Sequence, residues 1–63
     1  MTTDEVLDAL SRYTKDSNDS DRETATKLGI THPILDDWLN GRTRPQKDIL
    51  ARLAGFLKRV GYL

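Results

Sequence analysis

Apolar residues recur at helical spacing in four stretches of the chain, and no stretch shows the alternation that predicts a strand. The first helix is predicted over residues 3–13, with one apolar face made by Val6, Leu7, Leu10 and Tyr13. Thr2 and Glu5 have the spacing of a capping box at its start. Residues 14–19 contain no apolar side chain, so we expect a loop there.

The second predicted helix is short and has clear signals at both ends. Ser20 and Glu23 repeat the capping-box spacing, and the helix is expected to continue to Leu28. Gly29 is expected to end it, because glycine adopts the left-handed backbone conformation without a clash from a Cβ atom.

The third predicted helix follows after only about three residues. Thr31 is placed to cap it, and Pro33 falls in its first turn, where a missing amide hydrogen does no harm. Asn40 and Gly41 form a termination signal. Its apolar residues are predicted to share one face: Ile34, Leu35, Trp38 and Leu39. Because Trp38 shares this face with Leu35 and Leu39, we expect it in the core rather than as an exposed platform for stacking.

A basic loop at residues 42–44 separates the third helix from the last one, which we expect Pro45 to open. The last helix is predicted to run to Gly61, with an apolar stripe made by Ile49, Leu50, Leu53, Ala54, Leu57 and Val60. Gly55 lies within this helix and indicates either close packing or a break. The pattern therefore predicts a compact all-α domain of four helices, with five as the alternative, over residues 1–63.

Composition narrows the possible functions more than it identifies one. The 63 residues include no cysteine and one histidine, which argues against a disulfide framework, a metal site or a cofactor. No constellation of side chains converges as catalytic groups would, so we expect neither an enzyme nor a small-molecule substrate. No apolar run approaches the length of a membrane span, and the acidic start is unlike a signal peptide. We therefore expect a soluble cytoplasmic protein.

Charge is zero in sum but unevenly distributed. Residues 1–23 hold seven acidic and three basic side chains, a formal charge of −4. Residues 24–63 hold seven basic and three acidic side chains, a formal charge of +4. A local field of this kind can steer a polyanion, although two ordinary solvated faces would give the same count.

The short connection between the second and third helices demands particular residue types. Two helices joined by so tight a turn cross steeply and need a small residue at their closest approach, which Ala25 provides. Gly29 can make the turn, and Ile30 can anchor it to the core. Leu28 completes the buried side of the first of these helices. This arrangement predicts a helix-turn-helix unit at about residues 20–41.

Three segments resemble the helix-turn-helix of the phage repressor and Cro class, also called the XRE-like family. They are ATKLGIT at 25–31, LDDWLNG at 35–41 and RTRP at 42–45. The resemblance extends over residues 20–57 and implies a lambda repressor-like fold that binds double-stranded DNA. In this family the second helix of the motif lies in the major groove.

The resemblance also assigns roles to individual residues. Base-reading positions are matched by Thr31, His32, Pro33, Asp36 and Asp37. Phosphate-contacting positions are matched by Arg22, Asn40, Arg42, Thr43 and Arg44. A single carboxylate can accept a hydrogen bond from the exocyclic amine of cytosine, whereas two adjacent carboxylates repel phosphate. Asp36 and Asp37 could alternatively form a solvated face, with Asp37 paired to a nearby arginine.

The resulting hypothesis is a sequence-specific transcriptional regulator of the repressor type, binding a short inverted repeat as a homodimer. The apolar C-terminus supplies a candidate dimer seam of Phe56, Val60, Tyr62 and Leu63. These side chains could instead close over the core of their own monomer. The rival hypothesis is a protein-binding antagonist or adaptor on the same fold, with its acidic surface facing another regulator.

Overall fold

The computed structural model describes residues 2–63, and these residues form four α-helices without a strand. In chain order the helices are α1 (Thr3–Asp16), α2 (Asp21–Leu28), α3 (His32–Leu39) and α4 (Lys47–Arg59). The predicted all-α fold with four helices is confirmed. No fifth helix is present among residues 2–63, where residues 60 and 61 form a turn and residues 62 and 63 have no regular secondary structure.

Helix α1 begins as predicted and ends later than predicted. The Thr2 hydroxyl accepts a hydrogen bond from the Glu5 amide at 3.1 Å, and the Thr2 amide donates to the Glu5 carboxylate at 3.0 Å. This bond to the charged form lowers the pKa of Glu5. At the other end the helix reaches Asp16, because the Ser17 amide still donates to the Tyr13 carbonyl at 2.8 Å. The first half of the predicted loop is therefore helical.

Helix α2 and the following turn confirm the expected glycine termination. Gly29 has φ +74°, and the Ile30 amide donates to the Ala25 carbonyl at 3.0 Å, which satisfies a carbonyl at the end of α2. At the start of α2, Ser20 Oγ accepts from the Glu23 amide at 3.1 Å. The Glu23 carboxylate accepts from the Ser20 hydroxyl rather than from its amide, so the predicted capping box is only half formed.

Helix α3 is capped by Thr31, whose hydroxyl accepts from the Ile34 amide at 3.4 Å. The inward face of α3 is built around Leu35 and Trp38, which are 0% and 5% exposed. Ile34 was predicted on this face and is instead 41% exposed. Successive helical residues are about 100° apart, so the residue just before Leu35 points along the side of the helix rather than into the core.

Helix α4 departs from its prediction at two places. Gln46 is the N-cap and has an extended backbone, so the helix begins at Lys47 and Pro45 belongs to the preceding loop. The helix continues through Gly55, and a Cβ atom built there would meet nothing within 4 Å. Both readings of Gly55, close packing and a break, are therefore wrong.

The core lies where α1 and α3 pack together and α4 packs on α1, while α2 packs on α3. Its buried apolar residues come from all four helices: Val6, Ala9, Leu10, Tyr13, Ala25, Leu35, Trp38, Leu53 and Leu57. Thr24 is also fully buried, and its hydroxyl has no hydrogen-bond partner within the described residues. Val60, predicted on the α4 stripe, is 39% exposed because it lies at the C-cap.

Candidate nucleic-acid interface

The start of α3 presents polar and small side chains to solvent. Thr31, His32 and Pro33 are all exposed, while Leu35 and Trp38 of the same helix are buried. Arg22 on α2 is exposed as well. The first turn of α3 is therefore accessible to a ligand that approaches from outside, and the packing of its opposite face fixes its orientation.

The end of α3 carries a charged cluster made of Asp36, Asp37, Asn40 and Arg42, called the α3 cluster below. Arg42 Nη1 lies 3.1 Å from Asp36 Oδ2 and 3.3 Å from Asp37 Oδ1. Asn40 Nδ2 donates to the Asp36 carbonyl at 2.8 Å and to its carboxylate at 3.1 Å. The pairing expected for Asp37 is confirmed, and Asp36 shares the same guanidinium.

The α3 cluster has a formal charge of −1, because two carboxylates face one guanidinium. Hydrogen bonds from the guanidinium to Asp37 and then Asp36, with the attraction of their charges, raise the pKa of Arg42. The Arg42 amide also donates to the Asp37 carbonyl at 2.9 Å, so both backbone and side chain return to α3. The first arginine of the loop is therefore engaged with α3 itself.

The second arginine of the loop has a different partner. Arg44 forms an ion pair with Asp4, which lies in the first turn of α1. Sequence reasoning missed this contact, because forty residues separate the partners and no local pattern connects them. Thr43, between the two arginines, is exposed. The loop thus places its cations in separate positions, one on α3 and one beside α1.

The loop between α1 and α2 is held by side chains that sequence reasoning did not single out. Lys27 of α2 forms an ion pair with Asp19, and the Tyr13 hydroxyl donates to the same carboxylate at 3.4 Å. The bond from Lys27 lowers the pKa of Asp19, and the bond to Asp19 raises the pKa of Lys27. These contacts fix the segment that leads into the N-terminus of α2.

The four residues of the predicted dimer seam occupy two kinds of environment. Phe56 and Tyr62 pack edge-to-face on Tyr13 of the same chain, with ring centroids 5.2 Å and 5.6 Å apart. Val60 and Leu63 are 39% and 38% exposed. Two of the four side chains thus close over their own core and two remain accessible, so the seam stays a prediction.

Within the part of the chain that the structure describes, no helix is long and apolar enough to cross a membrane. A search of curated proteins and a search of solved structures each gave no significant match. A family model described as helix-turn-helix matches residues 13–61, which include α2, α3 and α4. The chain therefore belongs to the Cro/C1-type, XRE-like family of helix-turn-helix DNA-binding regulators.

Proposed function

We propose that this protein is a sequence-specific transcriptional regulator of the repressor type that binds a short inverted repeat as a homodimer. The observation that carries the proposal is the two-sided character of α3. Its inward side is fixed by buried Leu35 and Trp38, and its first turn is exposed. A helix held in this way can enter a major groove, which is about 12 Å wide.

The exposed first turn of α3 would read base edges. The Thr31 hydroxyl and the His32 ring can form hydrogen bonds with bases, and Pro33 offers an apolar contact such as a thymine methyl requires. Asp36 would accept from a cytosine amine. At the N-terminus of α2, Arg22 would supply a cationic side chain for a phosphate, beside the acidic Asp21 and Glu23 of the same turn.

The two loop arginines would contact phosphate after exchanging their carboxylate partners. The side chains of Arg42 and Arg44 are 61% and 58% exposed, so solvent screens their ion pairs and a phosphate can replace the carboxylate partners at little cost. A phosphate group, like a carboxylate, can accept two parallel hydrogen bonds from one guanidinium, and DNA carries many such groups. Release of Arg42 would also free Asp36 for base contact.

Dimerisation through the C-terminal end would place two copies of α3 about one DNA turn apart. Val60 and Leu63 are the accessible apolar side chains at this end. Phe56 and Tyr62, the other two residues of the seam, are held against their own chain by ring contacts with Tyr13.

The α3 cluster favours one alternative function. Its carboxylates outnumber its guanidinium, so a basic protein surface could bind where DNA phosphate would be repelled. On that hypothesis the protein is an antagonist or adaptor of another regulator.

Selection of bound duplexes from a random DNA pool at moderate salt tests the proposal. We expect enrichment of an inverted repeat with half-sites about one helical turn apart. Recovery of no sequence above background would contradict it and favour the protein-binding alternative. Enrichment of a single half-site would retain sequence reading and remove the homodimer.

Variants of the loop then assign phosphate contacts. Arg42→Ala and Arg44→Ala should each weaken binding to all duplexes and reduce the salt slope by about 0.9. Arg12→Ala removes the same charge from α1, where Arg12 pairs with Asp8, and should leave the slope unchanged. An unchanged slope in both loop variants would exclude the loop from the interface.

A further inference from the structure

A groove of about 390 Å³ lies between the end of α2 with its turn and helix α4, with Trp38 of α3 in its lining. None of the ten residues assigned to DNA contact lines this groove. Its apolar lining is formed by Leu28, Ile30, Trp38, Ile49, Leu53 and Phe56. The groove is thus a second accessible surface, separate from the first turn of α3 and from the basic loop.

Every charged side chain that lines the groove is cationic. Lys27 lies at the α2 side, where it also pairs with Asp19, and Arg52 and Arg59 lie on α4. Among residues 2–63, neither Arg52 nor Arg59 forms an ion pair. The groove therefore offers two uncompensated guanidinium groups above an apolar floor, which is complementary to a ligand that is both acidic and apolar.

Gly55 lies between these two arginines on the same side of α4. It is exposed, and a Cβ atom built there would meet no atom within 4 Å. A glycine in the middle of a helix lowers helix stability relative to alanine, and the packing of this chain gives no compensating contact. The absence of a side chain at Gly55 leaves space beside the α4 backbone, where the backbone of a ligand could approach closely.

We propose that this groove binds an acidic amphipathic helix of a partner protein. Arg52 and Arg59 are seven residues apart, about 10 Å along the axis of α4. Two carboxylates two turns apart on one helix would match this separation, with apolar residues between them on the groove floor. A single small carboxylate would meet only one of the arginines.

A second copy of this chain fits the groove less well. Its acidic helices are α1 and α3. The apolar face of α1 is already buried, since Val6 and Leu10 are 1% and 0% exposed, and the two carboxylates of α3 are adjacent and share Arg42. A partner helix must present carboxylates and free apolar side chains together. The occupant is therefore a different protein, and its docking would join a regulatory partner to the DNA-binding domain.

Selection from a displayed library of random 20-residue peptides tests this proposal on the full chain. Binders are selected on the unmodified protein, and those that also bind the Arg52→Glu, Arg59→Glu double variant are removed. We expect peptides with helical apolar periodicity and carboxylates about seven residues apart. Recovery of no peptide, or of peptides without acidic residues, would overturn the proposal.

The selected peptide then allows a quantitative test, with the fluorescence of the sole tryptophan, Trp38, as the signal. The arginine double variant should lower affinity by about tenfold or more, and replacing the peptide carboxylates with lysine should restore binding to that variant. Lys58→Glu is the matched control, because Lys58 is exposed on α4 but does not line the groove. An equal loss in the control would contradict a specific groove contact.

Gly55→Gln separates docking from folding. Glutamine favours a helix more than glycine does, so the variant should keep its circular dichroism and thermal stability while it fills the space beside the α4 backbone. We expect peptide affinity to fall by about tenfold or more. Unchanged affinity would overturn the proposal, as would ultracentrifugation showing that the variant disrupts only self-association.

Discussion

The two sides of α3 are stabilised by different interactions. The inward side consists of Leu35 and Trp38, buried against the rest of the core. The outward side ends in the α3 cluster, where Asp36 and Asp37 share Arg42 at half-exposed positions. Charge screening by salt does not act on buried apolar contacts, whereas exposed ion pairs are screened and exchange readily. One side therefore fixes the helix, and the other can change partners without disturbing the fold.

Adjacent substitutions on α3 should show the largest difference between the two sides. Leu35→Ala should lower the free energy of unfolding by about 2–5 kcal/mol, because it removes a fully buried side chain and leaves a cavity. Ile34→Ala, one residue earlier and 41% exposed, should change it by less than about 1 kcal/mol. Urea unfolding followed by circular dichroism measures both. Equal losses would show that Ile34, at the exposed edge of the inward face, also contributes to the core.

Neutralising the α3 cluster should affect DNA binding and leave stability nearly unchanged. The double variant Asp36→Asn, Asp37→Asn releases Arg42 and removes two negative charges, so affinity for non-specific duplexes should rise on the order of tenfold at low salt. The salt slope should stay nearly unchanged, because under the proposed function Arg42 contacts phosphate in both proteins. Fluorescence anisotropy at several salt concentrations measures both quantities.

The matched control for this prediction lies on α1. Asp8→Asn, which removes a carboxylate paired only with Arg12, can be compared with each single variant of the cluster. If Asp8→Asn raises DNA affinity as much as Asp36→Asn does, the gain reflects net charge and the cluster has no particular role.

The same contrast explains what the sequence could predict. Leu35 and Trp38 were placed correctly, because burial follows helical periodicity, and Gly29 was placed correctly because a positive φ favours glycine. Ile34 was misplaced, because periodicity gives the direction of a face but not its width. The start of α4 was predicted two residues too early, at Pro45, since proline fits both a loop and the first helical turn.

Contacts between distant residues left no pattern to detect. The ion pair of Arg44 with Asp4 and the packing of Tyr62 on Tyr13 depend on how α1 lies against the C-terminal half of the chain. Each partner is ordinary in its local sequence. The candidate site could therefore be predicted as a set of positions, but the ion pairs that engage its arginines could not.

The comparison of buried with exposed positions also applies to two threonine hydroxyls of α2. The Thr24 hydroxyl is buried without a partner, whereas the Thr26 hydroxyl is exposed and donates to the Arg22 carbonyl at 3.1 Å. Thr24→Val should raise the free energy of unfolding by about 1 kcal/mol, because it removes an unsatisfied polar atom and keeps the shape. Thr26→Val should be neutral or slightly destabilising. A loss of stability in Thr24→Val would show that the hydroxyl has a partner.

The smallest expected effect concerns Tyr62, where apolar packing and an exposed hydrogen bond occur in one residue. Its hydroxyl donates to Asp16 at 3.0 Å, and this bond, with partial burial and the nearby carboxylate charge, raises the pKa of Tyr62. A folded-state pKa above the unfolded value of about 10 stabilises the fold fully below that pH, and the contribution is lost as pH rises through the folded-state pKa.

The tyrosinate absorbance of the protein minus that of Tyr62→Phe isolates this titration, because Tyr13 remains in both chains. We expect a midpoint above 10 and a smaller alkaline loss of stability in Tyr62→Phe. A midpoint at or below 10 would mean that Tyr62 is detached from Asp16 of α1 in solution. The contact of Tyr62 with α1 would then be as readily exchanged as the ion pairs of the α3 cluster.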